Sequence, residues 1–327
     1  MMRCVRNLAG LLAVACFAAG AYGADDPLRV AEQEFATGNY AAAVTTLQGA
    51  LTRKPQDARA IYWLGRCYYE LRDYDNAASQ LEQAVKFDSK NSEFHDWLGR
   101  AYGGKADRDR SFMEARKVRN EFEEAVHLDP ANIQARRDLA EFYFQAPWIV
   151  GGSKNGAKEQ IDAISALDPV RGHLVRAEFW QEEKKPDLVE GEYRWVLAAN
   201  PRGIEPYLEV AGFYQHQGKA AEMKAAVDAA AKVGPNDPRL SYFRAVELIL
   251  GGSSFPEAER YLKSYLASTP DRSDWPSHAS ARAWLGTLYE REGKRMEAAE
   301  QYRAALQLEP GMKDARQKLE RLEKGSK

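Results

Sequence analysis

The 327-residue chain is predicted to fold as an all-α solenoid of about eight helix–turn–helix units, closed by one final helix. Two observations predict this class. Small, aromatic and apolar residues return at fixed offsets, and a proline or its substitute closes each period, 32 to 41 residues after the previous one. The composition, with 45% apolar and 29% charged residues, is typical of a folded protein. Because each unit of such an array packs only on its neighbours, the length does not require two globular domains.

The first 23 residues are predicted to be a secretory signal that is removed from the mature protein. Arg3 and Arg6 give a basic start, and the stretch from Leu8 to Ala19 is almost wholly apolar. Small residues then precede a cleavage point ahead of Ala24, an arrangement typical of secretory signals. We therefore expect an exported protein, located in the periplasm or outside the cell.

Two other interpretations compete for this segment. A transmembrane anchor is disfavoured, because the apolar stretch falls short of the about 20 residues that span a bilayer. Acylation of Cys16 is the other interpretation, since Ala13-Val14-Ala15 precedes it, although a bacterial lipobox usually has leucine where Ala13 stands. Acylation would make the chain a lipoprotein held on a membrane through Cys16.

A repeated order of residue types runs through the mature chain. From Gly286, offsets of 3, 7, 12, 16, 19 and 24 residues lead to Tyr289, Gly293, Ala298, Tyr302, Ala305 and Pro310. The same offsets from Gly65, Ala211 and Ala31 give a closely similar order. Small residues let two antiparallel helices approach, and apolar residues three and four apart form buried stripes. Each repeat is therefore predicted to be a helical hairpin.

Glycine and proline mark the predicted helix ends. Gly38, Gly218 and Gly293 stand where a first helix should stop, a common place for a left-handed cap. Proline closes the second helix because it cannot continue it. The closing positions are Pro55, Ser89 in place of proline, Pro130, Pro169, Pro201, Pro235, Pro270 and Pro310.

This order resembles the tetratricopeptide repeat, a helix–turn–helix unit of about 34 residues. The resemblance implies a right-handed α-solenoid whose stacked first helices line a concave surface for extended peptides or partner helices. It implies the units 24–55, 56–89, 90–130, 131–169, 170–201, 202–235, 236–270 and 271–310, and then a capping helix with a polar tail over 311–327. The Lys and Asn residues of the carboxylate clamp in chaperone-binding members are absent, so that activity is not implied.

Three units are longer than the others, and two are degenerate. The surplus of the third falls around Lys105 to Ser111, that of the fourth around Pro147 to Gly151, and that of the eighth in Asp271 to Ser277. The fifth and seventh units keep only part of the pattern.

The sequence predicts no catalytic, metal or nucleic-acid site. The net charge is −2, and no basic run of the kind that binds phosphate backbones is present. The five histidines lie in different units, and no pair has the spacing of a helical metal site. Cys67 is the one cysteine after the predicted signal and is expected to be a small buried side chain. We therefore expect no enzyme activity and no cofactor.

Three Gly-Gly pairs offer an alternative based on phosphate binding: Gly103-Gly104, Gly151-Gly152 and Gly251-Gly252. A phosphate loop needs G-x-x-x-x-G-K-[ST] after a strand, and no strand pattern precedes any of the three. All three fall at the expected junction between the helices of a unit, so we interpret them as helix-ending glycines. The alternative is a nucleotide-binding or enzymatic protein that uses these loops and Lys154.

The first helices of the second to fourth units supply the candidate partner-binding residues. From the geometry of the repeat family, we expect these side chains to face the groove: Arg59, Tyr62, Arg66, Tyr69, Asp96, Arg100, Arg137, Glu141 and Phe144. Arginine and tyrosine are enriched at binding hot spots, and arginines on successive helices could hold an acidic partner. The competing interpretation is that these arginines pair within the chain, with Asp96, Glu70 and Glu141.

Trp148, Ile149 and Val150 form a second candidate contact site, in a predicted loop. Apolar side chains in a loop indicate either a contact surface or a segment folded back on its neighbours. The function predicted from all these features is an exported, non-enzymatic scaffold that binds a protein or peptide in the groove. A lipid-anchored envelope assembly factor acylated at Cys16 is the first alternative. No nucleic-acid partner and no membrane span in the mature chain are expected.

Overall fold

The computed structural model describes residues 26–269 and 275–324. In these two ranges the chain forms eight antiparallel helical hairpins and one final helix, which confirms the predicted all-α solenoid. The predicted signal, with Cys4 and Cys16, lies outside the described residues, as do positions 271–274 of the loop predicted before the eighth unit. None of the helices in the described ranges is both long enough and apolar enough for a membrane span.

Each hairpin consists of a first and a second helix. The pairs are α1 (Pro27–Ala36) and α2 (Tyr40–Arg53), α3 (Ala58–Glu70) and α4 (Tyr74–Phe87), α5 (Ser92–Asp109) and α6 (Phe112–Leu128), α7 (Ile133–Gln145) and α8 (Lys154–Leu167), α9 (Pro169–Glu182) and α10 (Pro186–Ala199), α11 (Glu205–His216) and α12 (Ala220–Val233), α13 (Arg239–Gly251) and α14 (Phe255–Ser268), and α15 (His278–Arg291) and α16 (Arg295–Leu308). The final helix, α17 (Lys313–Lys324), packs on α16 and buries Ala315 and Leu322.

The hairpins stack in chain order. Each first helix packs on the second helix of its own hairpin, and each second helix packs on the first helix of the next. First helices also contact the first helices of neighbouring hairpins, as α3 contacts α1 and α5. Side chains on successive first helices therefore form one continuous surface.

Left-handed residues make the turns between the two helices of a hairpin. Gly38, Gly218 and Gly293 have φ values of 77°, 66° and 77°, which confirms the predicted glycine caps. Basic residues take the same conformation at the corresponding turns of three other hairpins: Arg72, Arg110 and Lys184. The turn therefore requires a positive φ even where the sequence supplies no glycine.

Small residues permit the close approach within a hairpin, as predicted. A Cβ atom added at Gly65 would lie 2.6 Å from Cγ of Leu81, and one added at Gly286 would lie 2.6 Å from the ring of Tyr302. Both distances are far below ordinary van der Waals contact, so the second helix can sit where it does only because these positions lack a side chain.

The third hairpin differs from the sequence prediction at its Gly-Gly pair. Gly103 and Gly104 lie inside α5 and do not end a helix; the ring of Tyr74 packs so closely on Gly104 that a Cβ there would lie 2.5 Å from it. The surplus around Lys105 to Ser111 extends the third hairpin, since α5 has 18 residues and α6 has 17, whereas the other paired helices have 10 to 14. Gly104 serves helix packing, whereas nothing lies within 4 Å of a Cβ at Gly103, and Gly252 (φ 68°) ends α13 as predicted.

The surplus of the fourth unit folds as a short 3₁₀ turn, Trp148–Val150, between α7 and α8. Pro169 also acts differently from the other closing prolines of the described residues; Pro270 lies outside them. It is the first residue of α9, and Asp168 caps that helix by accepting a hydrogen bond from the backbone N–H of Arg171 at 3.1 Å. Proline fits here because the first helical N–H needs no partner within the helix.

Candidate partner-binding site

The side chain of Arg66 is held by aromatic rings from three first helices. Its guanidinium carbon lies 4.7 Å from the ring centroid of Phe35 on α1, 4.2 Å from that of Trp63 on α3, and 4.3 Å from that of Trp97 on α5. One amino group also donates a hydrogen bond to the Tyr62 hydroxyl at 3.2 Å. Such rings attract a cation and fix its plane, so Arg66 is rigidly placed between adjacent hairpins.

Arg66 keeps its charge uncompensated by an ion pair. No carboxylate in residues 26–269 or 275–324 lies within 4 Å of its guanidinium, and its buried Nε has no hydrogen-bond partner there. The Tyr62 hydroxyl that faces it donates in turn to Glu93 at 2.5 Å. Among the predicted groove arginines, Arg66 is thus the one that forms no ion pair within the described residues, since Arg59, Arg100 and Arg137 each have a carboxylate partner.

Arg100 is neutralised inside the chain. Its Nε donates to Asp138 at 2.7 Å, and Nη2 lies 3.2 Å from Asp96, one of the partners that the competing interpretation names. Asp96 is almost fully buried, and its Oδ1 has no hydrogen-bond partner in the described part of the chain. Burial and the adjacent charge of Asp138 raise the pKa of Asp96 to about 8. Arg100 therefore has little charge left for a partner.

Arg59 and Arg137 also pair with carboxylates on neighbouring first helices. Arg59 bonds to Glu32 of α1 at 2.8 Å, and Arg137 bonds to Glu178 of α9 rather than to Glu141. Arg59 is largely exposed and Glu32 half-buried, so a partner could replace this ion pair at little cost.

The aromatic groove candidates lie on the first helices of the second and fourth hairpins, α3 and α7. Tyr62 is almost fully buried and stacks on Phe94 with 4.7 Å between centroids. Tyr69 contacts the ring of Trp97 at 5.5 Å, and Phe144 contacts Phe179 at 4.4 Å. Like the arginine pairs, these contacts connect one first helix to the next, so the predicted groove residues do share one surface. We call it the first-helix surface.

Sequence reasoning missed two acidic residues of this surface, Asp138 and Glu209. Glu209 lines a cavity of about 320 Å³ between α7, α9 and α11, and its Oε1 has no hydrogen-bond partner among the described residues. Burial and the charge of Glu178 raise the pKa of Glu209 to about 7. The repeat contained a signal: both residues stand two positions before the small residue, where Trp63 and Trp97 stand in other units.

The three residues of the second candidate site differ in burial. Trp148 and Ile149 are exposed, whereas Val150 is buried and therefore leaves the candidate contact surface. Val150 borders a cavity of about 630 Å³ between α5, α6 and α7, together with Phe122 and Phe142. Both interpretations of the segment thus apply, each to different residues of it.

The remaining chemistry-bearing candidates are engaged elsewhere. Cys67 is fully buried, as predicted, and burial raises the pKa of its thiol to about 12. Lys154, the lysine beside the second Gly-Gly pair, forms an ion pair with Glu183 at 3.0 Å. In the described ranges, no group of three or more His, Cys, Asp or Glu side chains has the arrangement of a metal site.

Comparison with known proteins identifies the repeats. Models of the tetratricopeptide repeat family match residues 34–101 and residues 250–315. No curated protein matches the chain. The chain therefore contains tetratricopeptide repeats, as its residue order predicts. Proteins built from these repeats typically serve as non-enzymatic scaffolds for protein–protein interaction.

Solved structures share the fold at low sequence identity. Yeast Tom70 superposes with a TM-score of 0.64 at 15% identity, over 94% of this chain and 66% of that chain. A tetratricopeptide repeat protein of Thermus thermophilus gives a TM-score of 0.44 at 20% identity, over 68% of this chain and 97% of that one. One from Parabacteroides merdae gives 0.43 at 14% identity, over 90% and 97%. The Tom70 likeness supports the solenoid fold and nothing more specific.

Proposed function

We propose that this chain is an exported, non-enzymatic scaffold that binds an acidic segment of a partner protein on the first-helix surface. The observation that supports the proposal most strongly is Arg66, a fixed cation with no carboxylate within ion-pair distance among the described residues. A carboxylate of a partner would form a charge-assisted hydrogen bond there. Since the aromatic rings already fix the guanidinium, little side-chain freedom would be lost on binding.

The neighbours of Arg66 suit a peptide contact. Tyr69 is half-buried at the same surface, and the exposed Arg59 lies seven residues before Arg66 on the same helix, α3, paired with Glu32. Tyrosine and arginine supply most of the binding free energy at many protein interfaces. Arg100 is not part of the proposal, because its replacement would leave Asp96 and Asp138 buried without a cation.

Site-specific photocrosslinking in the producing cell tests the surface. A crosslinker at Arg59, on the first-helix surface, should capture a partner, whereas one at exposed Gln83 of the second helix α4 should not. Arg66→Gln should lower the crosslinked yield at Arg59, and Arg53→Gln, an exposed arginine of α2, is the matched control. Equal yields from the two crosslinker positions, or no effect of Arg66→Gln, would contradict the proposed surface.

Export is a separate part of the proposal and has its own test. It rests on the basic start, the apolar stretch and the small residues before Ala24. Mass spectrometry of the mature protein should find an N-terminus at Ala24. A diacylglyceryl group on Cys16 would support the lipid-anchored alternative, and an intact chain in the cytoplasm would overturn export.

A further inference from the structure

Two neighbouring hairpins expose large apolar side chains at their turns. The third hairpin begins its second helix with Phe112 and Met113, and the 3₁₀ turn of the fourth contains Trp148 and Ile149. The exposed fractions of these four side chains are 63%, 76%, 85% and 52%. Contiguous exposure of large apolar residues is unusual on a soluble surface and indicates a contact region. The extra length of α5 and α6 places the first two residues beyond the shorter neighbouring helices.

These turns lie side by side along one edge of the solenoid. Arg108 beside the third turn bonds to Asp75 beside the second at 2.8 Å, and Arg116 donates to the backbone oxygen of Ile149 at 3.5 Å. Lys154 after the fourth turn bonds to Glu183 beside the fifth at 3.0 Å. We call this row, from the second hairpin to the fifth, the turn edge.

The turn edge also carries cations without partners. Arg72, Arg110 and Lys184 make its left-handed turns, with φ of 59°, 51° and 57°, although glycine would adopt this conformation without steric cost. None of the three side chains forms an ion pair within residues 26–269 or 275–324. Three turns thus combine an unfavourable backbone conformation with an exposed positive charge.

Most carboxylates of the edge are already engaged. Asp75 pairs with Lys105 and Arg108, and Asp73 caps α4 by accepting from the backbone N–H of Asn76. Asp107 is the exception beside the third turn. Residues 105–119 contain six arginines and lysines against three acidic residues, in a chain whose net charge is −2. The basic excess is therefore local to the third hairpin, beside Phe112 and Met113.

We propose that the turn edge docks on an anionic lipid bilayer surface, with Trp148, Ile149, Phe112 and Met113 entering the interfacial region. The apolar side chains are exposed at two separate turns that are in contact with each other, so they can enter one flat, deformable surface together. Tryptophan favours the bilayer interface, and the indole N–H of Trp148 has no protein partner in the described residues. Unpaired arginine and lysine side chains nearby would meet lipid phosphates. The docking is reversible, because so few apolar residues insert.

This inference does not depend on the proposed peptide binding. The four apolar side chains belong to the turns, whereas Arg66 and its rings belong to the first-helix surface. A variant of one surface should therefore leave the other unchanged, and both surfaces can be occupied together.

Tryptophan fluorescence with vesicles tests the apolar contact. The full chain would be titrated with vesicles of phosphatidylcholine and phosphatidylglycerol in equal parts, and with vesicles of phosphatidylcholine alone. We expect a blue shift and quenching by brominated acyl chains with the anionic vesicles. Trp148→Phe should abolish this change, and Trp195→Phe, the matched control on α10, should retain it. Unchanged emission with anionic vesicles overturns the proposal and leaves a protein as the occupant of this edge.

A second comparison separates binding from folding. The triple variant Arg72→Gly, Arg110→Gly and Lys184→Gly removes the cations and relieves the left-handed turns, so it should not lower the thermal midpoint. Its affinity for the anionic vesicles should fall by about fivefold per cation, roughly a hundredfold in total. Asn200→Gly with Ser254→Gly, the other positive-φ positions that lack glycine, is the control and should keep the affinity. Unchanged affinity in the triple variant, or equal binding to both vesicle types, overturns the anionic contact.

Discussion

The two halves of the solenoid have different interiors. From Leu174 to Leu322 the buried side chains form one continuous apolar cluster that extends through α9 to α17. The buried residues of α1 to α8 divide into separate smaller clusters, one of which includes Val175 of α9, and charged pairs such as Arg100–Asp138 connect their first helices. The same order of residue types therefore gives one half a core that joins every hairpin, and the other half a polar first-helix surface.

One position of the repeat accounts for much of this difference. Three residues before the small residue of the first helix, Asp96 and Arg137 occupy the site in the third and fourth units. Leucine occupies it in the fifth and sixth, at Leu174 and Leu208, and both side chains are buried. A charged side chain in place of leucine interrupts apolar contact between hairpins, and its charge is met by a partner of opposite charge, Arg100 for Asp96 and Glu178 for Arg137. The two halves therefore join their hairpins differently, one through continuous apolar contact and the other largely through charged pairs between first helices.

The largest expected effect comes from matched truncations in the two halves. Leu262→Ala and Leu47→Ala each remove a fully buried leucine and should cost about 2–5 kcal/mol of unfolding free energy. Leu262→Ala should weaken amide-exchange protection across α9 to α17, and Leu47→Ala only across α1 to α3. Hydrogen-exchange mass spectrometry distinguishes the patterns. Loss of protection in α11 to α17 caused by Leu47→Ala would show that the halves are not separate.

The next largest effect is expected on the pH dependence of stability in the half of the solenoid before Leu174, which we call the polar half. The carboxyl of Asp96 has a folded-state pKa of about 8 against an ordinary value of 3.8, so the folded state holds a proton that the unfolded state releases. Stability should therefore fall as pH rises from about 4 to about 8. Asp96→Asn should remove this part of the slope and gain about 1–3 kcal/mol at the upper end. Denaturant titrations at several pH values give the unfolding free energy of both chains. If its slope against pH is the same for Asp96→Asn as for the unmodified chain, the carboxyl of Asp96 is not the buried group that titrates.

A smaller effect is expected where glycine permits close packing. Gly65→Ala should cost about 1–2 kcal/mol, because the new methyl group would meet Leu81. Gly212→Ala in α11 is the matched control: nothing lies within 4 Å of its Cβ, so the helix should gain about 0.5–1 kcal/mol. Thermal unfolding of both variants gives the comparison. A loss from Gly212→Ala would mean that the polar and apolar halves pack their helices by different rules.

The smallest effect is expected on exposed ion pairs of the second helices. Lys158 and Asp162 on α8 lie 2.9 Å apart, and both are largely exposed. Lys158→Ala should change the free energy of unfolding by less than about 0.5 kcal/mol. A larger loss, measured by denaturant titration, would mean that charged pairs contribute to stability as much as buried contacts do.

The sequence predicts the fold well because repetition averages over local irregularity. Gly38 is required for a positive φ, and Gly65 is required for the close approach of two helices. Each requirement selects a small residue, and that residue recurs at a fixed offset in the repeat. The prediction for the Gly-Gly pair at 103 and 104 is wrong because its requirement comes from the ring of Tyr74, 30 residues before Gly104 along the chain. Spacing cannot show such a contact.

The candidate site is harder to predict because its electrostatics depend on pairs between hairpins. Arg66 and Arg100 occupy the same position of the repeat, yet one faces aromatic rings and the other two carboxylates. The ion pairs are decided by residues on the next first helix, 38 and 41 positions further along the chain: Asp138 for Arg100 and Glu178 for Arg137. The position of a residue within the repeat predicts the surface on which it lies. Which of the charges on that surface are paired can be seen only in the folded structure.

The burial of Cys67 has a consequence for thiol chemistry. Thiol–disulfide exchange proceeds through the thiolate, and a pKa of about 12 leaves almost none of it at neutral pH. Small oxidants and glutathione disulfide can reach the sulfur only when α3 separates from α2 and α4. The rate at which a thiol reagent labels Cys67 should therefore report the rate at which the second hairpin opens. The native chain needs no added probe for measuring local unfolding in this half of the solenoid.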